Sequence, residues 1–85
     1  MVTKYPDWIV LEAQPHKDYT ITLKFRDGST RLYDAKPLLD DPMYEPIKNP
    51  GFFMQAHVEC HTVVWNDDID IAPEYLYEAS KVINT

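Results

Sequence analysis

Glycine is scarce in this sequence, with two in 85 residues, and cysteine occurs once. With no Gly/Ser linker, repeat or low-complexity tract, nothing divides the chain, and residues 1–85 are expected to form a single domain. The lone Cys60 rules out an internal disulfide, and the first residues lack the basic start and apolar run of a secretory signal, so a cytoplasmic location is expected. Long apolar runs are missing too. The run from Trp8 to Leu11 meets Glu12 and Gln14 at once, far short of the roughly 20 residues a spanning helix needs, so no membrane partner is expected.

Cations are also in deficit, and unevenly so. Residues 1–33 carry five cations against four anions, whereas from Asp34 onward three lysines face ten carboxylates. A surface with that excess repels phosphate backbones and favours basic partners, so direct nucleic-acid binding is disfavoured.

What the chain does have is apolar and aromatic mass. Hydrophobic residues make up 45% and aromatics 13%, enough to build one core and to exclude disorder. Trp8 to Gln14 reads as a first strand ended by Pro15, which lacks a ladder N–H. Tyr19 to Arg26 alternates strictly, and Asp27-Gly28 predicts a two-residue type I′ turn with Ser29 to Asp34 returning antiparallel. That register places Ile21, Leu23, Phe25 and Leu32 on a core face and gathers Lys24, Arg26, Arg31 and Tyr33 on the outer face.

From Ala35 to Phe53 the prolines Pro37, Pro42, Pro46 and Pro50 allow only short helical turns, at Met43 to Lys48 and Gly51 to Met54, with Asp41 and Asn49 as N-caps. Further strands are expected at Ala56 to Cys60, Thr62 to Trp65 and Ile69 to Ile71. Pro73 then opens a final helix burying Leu76, Ala79, Val82 and Ile83. The expected class is α+β: a small, mainly antiparallel sheet with short helical turns in the middle and a C-terminal helix on one face.

Three stretches in combination carry a family resemblance: Phe25-Arg26-Asp27-Gly28; Tyr33-Asp34 with Pro37-Leu38-Leu39; and Thr62-Val63-Val64-Trp65-Asn66 running into Asp70-Ile71-Ala72-Pro73-Glu74-Tyr75-Leu76-Tyr77. The pattern resembles the bacterial domain of unknown function 2442 over nearly the whole chain. The resemblance implies a small α+β protein without known catalytic residues, and an antitoxin-like partnership with another small protein. Some relatives carry a helix-turn-helix segment; this chain stops after its last predicted helix, so no such DNA reader is expected. Asp67-Asp68 also stand where the family commonly has a glycine after the asparagine.

Each candidate constellation has a plainer reading. On a strand, His57, Glu59 and His61 share one face and Cys60 takes the other, which splits the only cluster of potential metal ligands; no metal and no cofactor is expected. The same geometry parts Cys60 from His61 as a thiolate and imidazole pair, leaving Cys60 as a buried or half-buried structural residue. Asn66, Asp68 and Asp70 imitate the start of a calcium loop, but Ile71 replaces the required glycine and Tyr77 the closing glutamate. Asp40-Asp41 before Pro42 read as helix-start residues.

No catalytic site emerges, and the expected function is a non-enzymatic protein-interaction or regulatory module. Its partner-binding candidates are Asp40, Asp41, Asp67 and Asp68 toward a basic protein partner, with Tyr44, Phe53, Tyr75 and Tyr77 as aromatic anchors. The alternative is an anionic-ligand or nucleic-acid site made by Lys24, Arg26, Arg31 and Tyr33. The sequence leaves the oligomeric state open.

Overall fold

Strict alternation in the best strand and a run of proline-started turns combine to make two small antiparallel sheets bridged by 3₁₀ turns. The structure, a computed structural model, describes residues 6–66 and 69–83. Strands β1 (Val10–Pro15), β2 (Thr20–Phe25) and β3 (Thr30–Asp34) lead into 3₁₀ turns at Lys36–Asp40 and Pro42–Lys48 and a one-turn helix α1 (Pro50–Phe53). Strands β4 (His57–Glu59), β5 (Thr62–Asn66) and β6 (Ile69–Ile71) follow, then helix α2 (Pro73–Ala79) and a short β7 (Lys81–Val82). The α+β class holds, with the strands divided into a sheet of order β1-β2-β3-β7 and a second of order β4-β5-β6.

The alternation of β2 does what the period-two rule demands. Ile21, Leu23 and Phe25 are fully buried, and full burial of such a side chain contributes about 1.5–3 kcal/mol. In β1 a register shift between Val10 and Glu12 keeps Val10 in the core and leaves Leu11 exposed. The N-caps form as the sequence predicts. Asp41 Oδ1 accepts from the Met43 N–H at 2.9 Å, and Asn49 Oδ1 accepts from Gly51 and Phe52, so Pro42 and Pro50 each start a turn whose orphan donors are satisfied. The turns thereby drop Leu38, Tyr44, Ile47 and Phe53 into the core beside Trp65, whose indole N–H donates to the Phe53 carbonyl at 3.1 Å.

The β2–β3 hairpin corrects the expected register by one residue. Lys24 pairs with Thr30, Leu23 with Arg31 and Ile21 with Tyr33, because the loop has three residues, Arg26 to Gly28. Phe25 accepts from the Gly28 N–H and donates to the Ser29 carbonyl, both at 3.0 Å, and Gly28 takes φ +90°. This is a type I turn followed by a left-handed residue. A one-residue slip reverses the faces of β3, so Tyr33 is buried and Leu32 is not.

The C-terminal segment differs as well. Helix α2 ends at Ala79 and buries Leu76, while the chain turns extended at Ser80 so that Lys81 and Val82 pair with Leu32 and Arg31 of β3. Val82 and Ile83 are therefore exposed, in keeping with the preference of β-branched residues for strands. Among the described residues no helix is long and apolar enough to cross a membrane.

Candidate partner-binding groove

Four separate pieces of chain meet where the first 3₁₀ turn, the second 3₁₀ turn, β6 and the start of α2 converge. They enclose a groove of about 390 Å³ lined by Pro37, Leu38, Asp41, Tyr44, Ile71, Ala72 and Tyr75. Its volume lies in the low range of small-ligand and side-chain pockets. The walls are mostly apolar, and among the described lining residues the one carboxylate is that of Asp41. Tyr75, though nearly half exposed, is held by the core through an edge-on contact with Tyr33, whose ring centroid lies 5.8 Å away at 77°.

The hydroxyls behind this wall form a sparse network. Tyr33 Oη donates to Tyr75 Oη at 3.3 Å, and Tyr44 Oη donates to the Asp70 carbonyl at 3.0 Å. Burial raises the phenol pKa of Tyr33, followed by the bond to Tyr75. Burial also raises that of Tyr44, with the carboxylates of Asp70 and Asp41 adding to the effect. The charge among the described lining residues is the Asp41 carboxylate, so the local field favours a cation.

The partner-binding residues expected from sequence are sorted by this geometry. Asp41, Tyr44 and Tyr75 line the groove, and Asp40 is exposed next to Asp41. Phe53 is a correction: at 1% exposure it packs against Tyr19 and Trp65 and has no surface to offer an anchor. Tyr77 faces elsewhere. Its hydroxyl donates to Asp27 Oδ2 at 2.6 Å, and the Arg31 guanidinium lies over its ring, 3.8 Å from the centroid. Asp67 and Asp68 lie outside the described residues.

The cationic hairpin face is dispersed by the corrected register. Lys24 and Arg26 are exposed, Tyr33 is buried, and Arg31 is largely covered, donating to the Tyr77 carbonyl at 2.8 Å and to Ser29 Oγ at 3.0 Å. These four side chains do not share one surface.

The other clusters also separate. His57 Nε2 meets Glu59 Oε2 at 2.7 Å, and the bond His57 makes with the Gln55 carbonyl, followed by this one, raises its pKa. Cys60 and His61 instead occupy the two positions of the β4–β5 turn with φ of 51° and 68°. Cys60 is exposed there, not buried as its residue type suggests. Asn66 Oδ1 accepts from the Ile69 N–H at 2.9 Å, which makes it a turn residue.

The sequence reading missed Pro37, Leu38, Ile71 and Ala72 as groove walls. The available signal was their place in the resemblance, in Pro37-Leu38-Leu39 and Ile71-Ala72-Pro73. A family model described as a protein of unknown function, DUF2442, matches residues 10–82. The chain belongs to the DUF2442 family. No curated protein and no solved structure matches it. For this DUF2442 chain the matched span contains every groove residue, including Tyr75.

Proposed function

We propose that this DUF2442 chain is a non-enzymatic protein-interaction module that receives a basic segment of a protein partner in the groove between the 3₁₀ turns and α2. The observation that carries this reading is the groove itself, an apolar cleft with an exposed tyrosine on one side and a carboxylate in its lining. Its charge complements a basic partner, and the acidic half of the chain extends the same field. An antitoxin-like partnership with another small protein is the specific form that the family resemblance implies, and the acidic charge of the chain is what makes that partner a basic one.

The test places a photo-crosslinking phenylalanine derivative, which keeps an aromatic ring, at Tyr75 and, in a second protein, at Lys24 on the first sheet. A basic protein crosslinked from position 75 and not from 24, and bound less tightly as salt rises, supports the reading. Ala72→Arg, an exposed substitution that fills the groove from inside, is expected to abolish the complex; full affinity in that variant sinks the proposal.

A further inference from the structure

We infer that the partner side chain seated in this groove is an arginine, its guanidinium lying on Tyr75 and facing the Asp41 carboxylate. This rests on the docking reading above and names the chemistry of the occupant.

The same helix already holds one such arrangement, made within the chain. Two residues beyond Tyr75, Tyr77 carries the Arg31 guanidinium over its ring at 3.8 Å, while Asp27 Oδ2 lies 3.8 Å from Arg31 Nη2. A planar, weakly hydrated guanidinium can stack on a ring and still direct N–H groups at a carboxylate and a carbonyl, which a lysine ammonium does less well. Tyr75 and Asp41 line one groove, a ring and a carboxylate with no cation among the described lining residues. Among the described residues the groove lining contains no lysine or arginine, and no cation forms an ion pair with Asp41. Lys36, beside the lining residue Pro37, pairs instead with Asp34 at 4.0 Å.

The remaining walls suit the rest of an arginine. Pro37, Leu38, Ile71 and Ala72 offer apolar surface for its three methylenes, which long cationic side chains bury while the head group stays polar. Asp41 can meet the charge without giving up its own role, since Oδ1 caps the Met43 N–H and no partner within the described residues takes Oδ2. An acidic or phosphorylated segment would place like charge against Asp41.

The experiment titrates the isotope-labelled full chain, followed by amide NMR, with three capped peptides that differ only at one central residue: arginine, lysine or the neutral isostere citrulline. Saturable shifts at Leu38, Ile71, Ala72 and Tyr75 are expected, strongest with arginine, weaker with lysine and absent with citrulline. Asp41→Asn keeps an N-cap residue while removing the charge, and should weaken the arginine peptide about tenfold. Tyr75→Leu should weaken it, and Tyr75→Phe should retain it.

Equal binding of citrulline and arginine, no groove shifts with arginine, or an unchanged affinity in Asp41→Asn overturns the inference. The docking reading is judged separately, because a partner crosslinked from position 75 through a residue other than arginine preserves it while removing arginine as the occupant.

Discussion

Tyr75 and Tyr77 stand two residues apart on one short helix, and each leans edge-on against an aromatic ring of the β2–β3 hairpin. Tyr77 meets Phe25 with centroids 5.0 Å apart at 86°, and Tyr75 meets Tyr33 at 5.8 Å and 77°. Each also has a carboxylate in its neighbourhood, Asp27 beside Tyr77 and Asp41 in the groove with Tyr75. The difference is Arg31, which fills one arrangement from β3, whereas no cation among the described residues fills the other. Where the chain supplies the cation, the cluster ties α2 to the hairpin; where it does not, the same chemistry faces outward. The comparison separates a structural use of aromatic and acidic residues from the recognition use proposed for the groove, although both draw on the same residue types.

Removing the cation from the filled arrangement is the largest available perturbation. Arg31→Ala deletes hydrogen bonds to the Tyr77 carbonyl and Ser29 Oγ together with the ring contact, and is expected to destabilise the fold by about 2–3 kcal/mol in denaturant titration. Asp41→Asn in the open arrangement should stay within about 0.5 kcal/mol of the parent, since asparagine caps a helix start as well as aspartate does. Comparable losses in the two variants would mean that Asp41 is engaged inside the fold and the groove is not a free recognition surface.

The hydroxyls give a smaller, sharper contrast. Tyr77→Phe removes a 2.6 Å bond to a carboxylate and should lower the melting temperature. Tyr75→Phe removes a 3.3 Å contact between two phenols, longer than an ordinary O–H···O bond, and should lower the melting temperature less. Thermal unfolding of the two variants side by side checks the ordering, and a larger loss at Tyr75 would reverse the roles assigned to the two residues.

Much of the fold was legible because local chemistry and tertiary packing agree. The alternation of β2 and the caps at Asp41 and Asn49 are set by groups close in sequence, and the structure keeps all of them. The hairpin register was not legible, because Asp-Gly serves both a two-residue type I′ turn and a type I turn closed by a left-handed glycine. The choice falls to burial: the observed slip puts the ring of Tyr33 in the core in place of Leu32, and with it carries Arg31 beneath Tyr77. Conversely, the turn with positive φ at both central positions is made by Cys60 and His61, residue types that give no warning of it. The groove was half visible. Its polar and aromatic members, Asp41, Tyr44 and Tyr75, stand out by residue type, whereas Pro37 and Leu38 gain meaning only when β6 and α2 arrive from more than thirty residues away.

The smallest effect concerns what holds Asp27 in the filled arrangement. Its carboxyl pKa is lowered from 3.8 to about 2, chiefly by the Ser29 hydroxyl, next by the Tyr77 hydroxyl and the Ser29 N–H, and least by Arg31. A carboxyl depressed in the folded state contributes stability that is fully present above its unfolded pKa and is lost as pH falls through the folded one, so the window runs from about pH 4 down to 2. Solvent screening keeps this contribution under about 1 kcal/mol. Stability should therefore decline over that interval in the parent, and Asp27→Asn should remove this part of the decline. Carboxyl NMR titration gives the finer test: Tyr77→Phe should move Asp27 part of the way back toward 3.8, and Arg31→Ala should move it least. A larger shift with Arg31→Ala would make the guanidinium the main holder of this carboxylate, and would strengthen the charge on Asp41 as the feature that draws an arginine into the groove.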